Sequence, residues 1–261
     1  MQESKLIGIL KTFDKEDWRW FKKFLLSPYF NSREDLIPFF EYLRKQAPEF
    51  PEKAIRKEKV FKKVYPKQPY NEKQFSYTMN FLLSQAERFL AQKEFESQPP
   101  LINNYIQKSL VTRQLDKHYK YHFEKSKSIL EERKREDIDY FYLKYQKSEI
   151  ANLHYNNQNL RNYDPNLQVT SDELDQFYLI QKLKCCCEMI SRSDVMTTTY
   201  EPFLEEEIIQ FLEKKEFAKS PLLSAYLETY YILKKENAER NFERLKKLLS
   251  LYEAELPVVE K

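Results

Sequence analysis

The chain has 261 residues, 41% of them hydrophobic, which is enough for one large or two modest domains with a continuous core. It contains a single glycine, Gly8, so the glycine-rich loops that hold nucleotide phosphates are excluded and tight β-hairpins are disfavoured. Residues 1–135 carry 28 Lys/Arg against 18 Asp/Glu, and residues 136–261 carry 16 Lys/Arg against 23 Asp/Glu. This difference in net charge can steer an acidic partner to the first half or let two copies associate head to tail.

The first strong helical pattern begins at Asp14, a candidate N-cap with Asp17 three residues on. This helix should stop near Leu26, because Pro28 disfavours helical geometry at the residue before it. One arc of about 160° on this helix is apolar, and it contains Trp18, Trp20, Phe21, Phe24 and Leu25. Together with Tyr29 and Phe30, these aromatic residues are a candidate docking site unless the N-terminal helices bury them.

Three more helices are predicted before the clearest break in the chain. The helix over residues 33–47 contains Pro38, which predicts a kink or a break unless the helix starts there. A short helix over residues 54–65 follows, and Asn71 is expected to cap a long one. The Ser-Gln-Pro-Pro stretch at residues 97–100 then separates an N-terminal helical region, residues 1–97, from residues 98–261.

Seven further helical segments follow, most of them joined by short polar links, as in antiparallel helix pairs. The exception is the Asn-rich segment 157–170, which predicts a longer loop near Asp164-Pro165, with Ser171 capping the next helix. We therefore predict an all-α protein of about ten to twelve helices, in which an N-terminal bundle packs on a helical-repeat part.

Two pairs of segments suggest an internal repeat. Residues 138–143 (IDYFYL) align with residues 174–179 (LDQFYL) at a separation of 36, and residues 122–130 resemble residues 241–249. Over residues 99–256 the chain thus resembles a degenerate tetratricopeptide-type (TPR-like) array, although no copy has the glycine usual in that family. The resemblance implies a right-handed α-solenoid-like array and no catalysis. It also implies a concave groove that receives a partner's peptide or helix, and candidate contacts there are Tyr140, Lys144 and Lys147.

A basic segment offers a second candidate surface. From Lys53 to Lys67 there are seven Lys/Arg and one acidic residue. Arg56, Lys59 and Lys63 lie one turn apart on one helix face, and Lys67 follows. Such a face fits an acidic protein segment, or nucleic-acid phosphates with Tyr70, Phe75 or Tyr77 stacking on bases; the other interpretation is a solvated helix face.

The three adjacent cysteines, Cys185, Cys186 and Cys187, are the most unusual feature of the sequence. Neighbouring helical residues point about 100° apart, so three consecutive sulfurs cannot reach one tetrahedral metal ion. We expect Cys186 and Cys187 to be buried as small hydrophobic residues, whereas Cys185 lies on the other side of the helix, where modification is an open alternative.

His118 and His122 are one turn apart, a spacing that can chelate a transition metal, but no third ligand is identifiable. Glycines and matched bases for nucleophilic catalysis are also missing. No apolar run reaches the roughly 18 to 20 residues of a membrane span, and no secretion signal or disulfide framework is evident. We expect a cytoplasmic, non-enzymatic interaction module or scaffold that binds a peptide or helix of another protein. It should need no cofactor and bind no membrane. The alternative is a nucleic-acid-associated helical protein that uses residues 53–67.

Overall fold

The computed structural model describes residues 1–158, 162–196, 199–214 and 220–256. These residues form twelve α-helices and contain no β-strand, which confirms the all-α prediction for the described part of the chain. The chain divides into two compact units, Met1–Gln98 and Pro99–Lys261, and the division falls within the Ser-Gln-Pro-Pro stretch. Within the described ranges, no helix has both the length and the apolar content that crossing a bilayer requires.

The first unit contains five helices: α1 Lys5–Leu10, α2 Lys15–Leu26, α3 Leu36–Arg44, α4 Lys57–Val64 and α5 Glu72–Glu96. Local sequence signals set the ends of α2 as predicted. The Asp17 amide donates to the Asp14 carboxylate at 2.7 Å, and the Asp14 amide donates back to the Asp17 carboxylate at 3.2 Å, so a complete capping box starts the helix. At the other end, Ser27 has extended geometry because Pro28 follows.

Pro38 neither kinks nor breaks α3, because the helix begins only two residues earlier, at Leu36. In the first turn a backbone N–H has no intrahelical acceptor, so a proline there removes no hydrogen bond. The helix predicted over residues 33–47 is therefore shorter, and the alternative that it starts near the proline is the one observed.

Aromatic rings dominate the core of the first unit. Phe21 is fully buried, and its ring lies 5.3 to 5.5 Å from the rings of Phe13, Phe40 and Phe89, while Phe39 packs 5.7 Å from Phe75. The core residues are contributed by all five helices, so none of them buries its apolar side alone.

The second unit contains seven helices: α6 Pro99–Thr112, α7 Asp116–Glu131, α8 Ile138–Asn157, α9 Pro165–Ser193, α10 Glu205–Lys214, α11 Pro221–Leu233 and α12 Ala238–Leu251. Neighbours in sequence pack on one another: α6 on α7, α8 on α9 and α11 on α12, while α6 also packs on α8 and α9 on α11. The main core of this unit is built around Phe141, Ile180, Leu183, Leu222 and Leu223.

The predicted start of α9 is wrong. The helix begins at Pro165 rather than after Ser171, and the Asp164 carboxylate accepts a hydrogen bond from the Asn166 amide at 2.9 Å. Asp164 and Pro165 therefore form an N-cap and a first helical residue, because proline is well suited to that position. Residues 166–170, predicted as loop, are thus helical, and α9 is 29 residues long.

Candidate functional site

An apolar cavity of the first unit lies between α2 and α5 and has a volume of about 530 Å³. Trp20, Lys23 and Phe24 line it on the α2 side, and Phe89, Gln92 and Lys93 line it on the α5 side. We call it the Trp20 pocket. Its volume falls within the roughly 300 to 1,000 Å³ typical of ligand sites, and an apolar lining with a few polar groups is their usual composition.

Trp20 forms the exposed wall of this pocket. It belongs to the apolar arc of α2, yet 48% of its surface is accessible, whereas Trp18 and Phe21 of the same arc are buried. The Lys23 ammonium lies 4.3 Å from the centre of the Trp20 ring, and the Arg19 guanidinium carbon lies 5.3 Å from it. Cations at these distances are attracted to the ring, so they hold the indole in place while about half of its surface stays accessible.

The floor of the pocket is rigid because its aromatic residues pack on one another. The rings of Phe24 and Phe30 stack with centroids 4.2 Å apart, and Phe24 also meets Phe89 edge-on at 5.9 Å. Phe24 and Phe89 continue into the aromatic core. The cavity is therefore formed before anything binds, which lowers the entropic cost of binding.

Charged groups surround the apolar floor. Lys93 donates a hydrogen bond at 2.5 Å to Asp17, and this bond raises the pKa of the Lys93 ammonium. Gln92 donates to Glu96 at 2.8 Å. These side chains can hydrogen-bond a bound peptide at the rim, but the lining contains no histidine or cysteine. The arrangement therefore suits the binding of apolar side chains.

The basic face predicted on the fourth helix is present. Arg56, Lys59, Lys63 and Lys67 are all exposed, and none of them forms an ion pair with another residue in the described ranges. Arg56 immediately precedes α4, and Lys67 follows its end. Four uncompensated cations along one short element provide a positive surface for an acidic ligand.

The aromatic residues proposed to stack beside this face differ in accessibility. Phe75 is fully buried in the core, so it cannot stack on a base. Tyr70 donates its hydroxyl proton to Glu72, which also accepts from Lys57 at 2.6 Å, and this ties the ring to the start of α5. Tyr77 alone of the three is largely exposed.

A polar network fixes α4 against the rest of the first unit. Asp35 accepts hydrogen bonds from Arg33, at 2.9 Å from Nε, and from the Tyr65 hydroxyl. The Tyr65 hydroxyl is also 2.7 Å from the Thr78 hydroxyl on α5. Burial raises the pKa of Asp35, but the hydrogen bonds from Arg33 and Tyr65 outweigh burial and hold it below its ordinary value.

The groove residues predicted in the second unit lie among neighbouring helices and are all half-buried. The Lys144 ammonium is 3.9 Å from the Glu173 carboxylate on α9, and Lys147 lies 5.5 Å from the centre of the Phe123 ring on α7. Burial raises the pKa of Glu173 and also that of Tyr140. Only parts of these three predicted contacts are therefore available to a ligand.

The three cysteines lie as predicted. Cys186 and Cys187 are buried beside Tyr230, and Cys185 is only partly covered. Burial raises the pKa of Cys187 to about 12 and also raises that of Cys186, so both thiols stay protonated near neutral pH. Cys185 accepts a hydrogen bond from the Gln181 amide group at 3.7 Å, and it is the accessible thiol of the three.

The two histidines that lie one turn apart on α7 differ in their surroundings. Nδ1 of His122 is 2.6 Å from the Asn103 side-chain oxygen, while His118 is exposed. Burial lowers the pKa of His122, which favours the neutral ring. His154 stacks on Tyr119 at 4.0 Å instead of joining the pair. Across the described ranges, no three His, Cys, Asp or Glu side chains converge in a geometry suited to a metal ion.

The α5 side of the Trp20 pocket was missed by the sequence reasoning, which considered the aromatic residues of α2 and the following turn alone. Phe89, Lys93 and Glu96 recur every three to four residues, so they share one face at the end of α5. That spacing identifies a face, but not which helix it opposes. Comparison with protein-family models, with curated proteins and with solved structures finds no significant match in any of the three.

Proposed function

We propose that this chain is a non-enzymatic interaction module that binds a peptide or helix of another protein, and that the Trp20 pocket receives apolar side chains of that partner. The observation that carries the proposal is a preformed aromatic cavity of about 530 Å³ with a half-exposed tryptophan as its wall. Amphipathic helices bind such grooves by inserting apolar side chains spaced three or four residues apart.

The free-energy gain comes from removing the exposed part of Trp20 from water. Tryptophan contributes strongly to the energetics of many protein interfaces, because its large side chain has only two rotatable bonds and loses little conformational entropy on binding. Since Phe24 and Phe89 are already packed, a ligand needs to order few protein groups on binding. The proposed ligand is therefore an apolar anchor with polar flanks that reach the charged rim.

The tetratricopeptide-like array is part of this proposal for the second unit. Its support is the order of packing, in which α6, α8, α9, α11 and α12 form a chain of neighbouring contacts. A second binding element on this array would use the exposed parts of Tyr140, Lys144 and Lys147. The Trp20 pocket is independent of this element, because it is built entirely from the first unit.

The test compares two substitutions on α2. Trp20→Lys places a charge in the pocket wall, and Leu26→Lys places the same charge on an exposed apolar residue outside the pocket lining. Partners captured from the native cell by each variant and by the wild type are quantified by mass spectrometry. Peptides from a captured partner are then titrated, with thermal unfolding as a folding check.

We expect Trp20→Lys to weaken peptide binding by about 100-fold, the effect of losing roughly 3 kcal/mol at a central anchor, and Leu26→Lys to leave it unchanged. Equal retention of the peptide by all three proteins would refute the pocket as the binding site. So would capture that depends on Leu26 and not on Trp20.

A nucleic-acid role for the first unit is the second candidate, favoured by the four exposed cations Arg56, Lys59, Lys63 and Lys67. Four phosphate contacts predict that affinity for double-stranded DNA falls about 100-fold between 50 and 200 mM salt. Titration of labelled DNA and RNA at both salt concentrations measures this, with Lys59→Glu/Lys63→Glu as the variant. No binding at 50 mM salt would eliminate this candidate.

A further inference from the structure

The longest helix of the second unit, α9, has an apolar stripe on its outer side. Leu167, Leu174 and Tyr178 are exposed by 59%, 42% and 42%, and Cys185 and Met189 are half-buried. The five residues are spaced seven, four, seven and four positions apart along the chain. At 100° per residue they fall within an arc of about 60°, so they form one line along the helix. We call it the α9 stripe.

The α9 stripe is separate from the side of the helix that forms the core. Leu179, Ile180 and Leu183 are buried, and they point about 110° to 210° around the helix from the stripe. A helix in a globular protein ordinarily has one apolar side, and a second exposed one marks a surface that another molecule covers. The stripe extends over 23 residues, or about 33 Å of helix.

The charges beside the α9 stripe indicate what covers it. Asp175 flanks its first half, and the half-buried Lys182 flanks its second half on the same side of the helix. Asp175 forms no ion pair with any residue in the described ranges, and Lys182 has only a longer-range attraction to Glu205, whose pKa it helps to lower. A helix flank with an acidic side chain just before its centre and a basic one just after it is complementary to a second copy of itself running antiparallel.

The register follows from symmetry. When a twofold axis relates two antiparallel helices, equivalent flanks of the two helices lie next to each other. A residue k positions before the centre of one helix then faces the residue k positions after the centre of the other. With Tyr178 at the centre, Leu167 faces Met189 of the second copy and Ser171 faces Cys185. Asp175 then lies within one residue, about 1.5 Å along the axis, of Lys182 of the second copy.

We propose that the α9 stripe is a self-association surface, on which a second copy of this chain docks antiparallel with Tyr178 at the twofold axis. A strip about 33 Å long and about 10 Å wide buries less area than a standard interface of about 1,600 Å² in total. The dimer is therefore weak and forms with rising protein concentration. It uses no residue of the Trp20 pocket.

The first test is sedimentation velocity of the full chain from micromolar to near-millimolar concentration. The wild type is expected to shift from monomer to dimer across this range. Leu174→Lys puts a charge on the stripe and should weaken the dimer by about tenfold or more, whereas Val169→Lys changes an exposed residue on the opposite side of the same helix and should have no effect. A monomer at every concentration, or a dimer indifferent to Leu174→Lys, would overturn the proposal.

The second test determines the register with a short bis-maleimide cross-linker. Ser171→Cys should cross-link to Cys185 of the second copy, and the wild type should not, because two Cys185 residues are about 21 Å apart along an antiparallel pair. A covalent dimer of the wild type through Cys185 would contradict the antiparallel register. Asp175→Lys and Lys182→Asp should each weaken the dimer, and the double variant should restore it; failure of this rescue would also count against the proposal.

Discussion

Replacement of Tyr65 by phenylalanine isolates the polar network that holds α4, and with it the basic face, against the first unit. The Tyr65 hydroxyl donates to Asp35 and is 2.7 Å from the Thr78 hydroxyl, whereas the ring packs 4.8 Å from Phe61. Tyr65→Phe keeps the ring contact and removes only the hydroxyl. Any change in stability therefore measures the hydrogen bonds.

The expected cost is about 1.5 to 3 kcal/mol at pH 7, the range for a hydrogen bond to a charged group. A loss of unfolding free energy in the upper part of this range would require that the Asp35 carboxylate keep too few hydrogen bonds to stabilise its charge. Arg33 still donates to it, at 2.9 Å from Nε, so we expect a value near 2 kcal/mol. A loss of this size lowers the urea midpoint by roughly 1 M for a domain with a typical denaturant slope.

The pH dependence gives the sharper test, because the folded-state pKa of Asp35 is lowered. A lowered carboxyl pKa stabilises the fold above the unfolded value of about 3.9, and this contribution is lost as the pH falls through the folded pKa. Tyr65→Phe removes one cause of the lowering, so the difference between variant and wild type should shrink from pH 7 to pH 3. Urea unfolding at stepped pH measures it.

The control for this prediction is Tyr77→Phe, which removes a hydroxyl from an exposed tyrosine on α5. It should change the unfolding free energy by less than about 0.5 kcal/mol. A Tyr65→Phe effect as small as that of the control, or one that stays constant down to pH 3, would show that the Tyr65 hydroxyl does not stabilise the Asp35 carboxylate.

Two further predictions concern the cores. Phe21→Ala should lower the unfolding free energy of the first unit by about 3 to 5 kcal/mol, because the ring is fully buried among three others. Tyr29→Ala, at an exposed tyrosine, should change the unfolding free energy very little in the same denaturant titration. With a thiol reagent at pH 7, Cys185 should be labelled before Cys187, whose pKa burial raises to about 12; peptide mapping showing the reverse order would contradict the burial pattern.

Helix ends that are set by interactions within a few residues could be predicted from the sequence, as in α2. The start of α9 could not. Asp14, Asp17 and Pro28 define α2 through interactions within a few residues, and all three act as their types suggest. The asparagines around Asp164-Pro165 predict a loop, but the pair itself is a good start for a helix, and α9 begins there. The loop prediction rested on the asparagine content of the segment and not on the place of the Asp-Pro pair in it.

The candidate site could be predicted only on one of its two sides. The aromatic residues of α2 and the turn after it were recognised as a docking candidate from their spacing, but the pocket exists because α5 brings Phe89 and Lys93 opposite Trp20. Trp20 and Phe89 are 69 positions apart in the chain, and no local pattern encodes which faces meet. Exposure of Trp20 is likewise a tertiary property, since its arc on α2 is otherwise buried.

The two apolar surfaces proposed here differ in shape, and shape separates their ligands. The Trp20 pocket is concave and already closed on one side by packed aromatic rings, so it selects a protruding anchor and gains little from a flat surface. The α9 stripe is the convex side of one helix, which cannot enclose an anchor and can only pack along another elongated surface. A single partner helix could use either surface, but only the stripe, with Asp175 and Lys182 on one flank, is complementary to its own copy. Dimerisation and partner binding should therefore be separable by substitutions at Leu174 and Trp20.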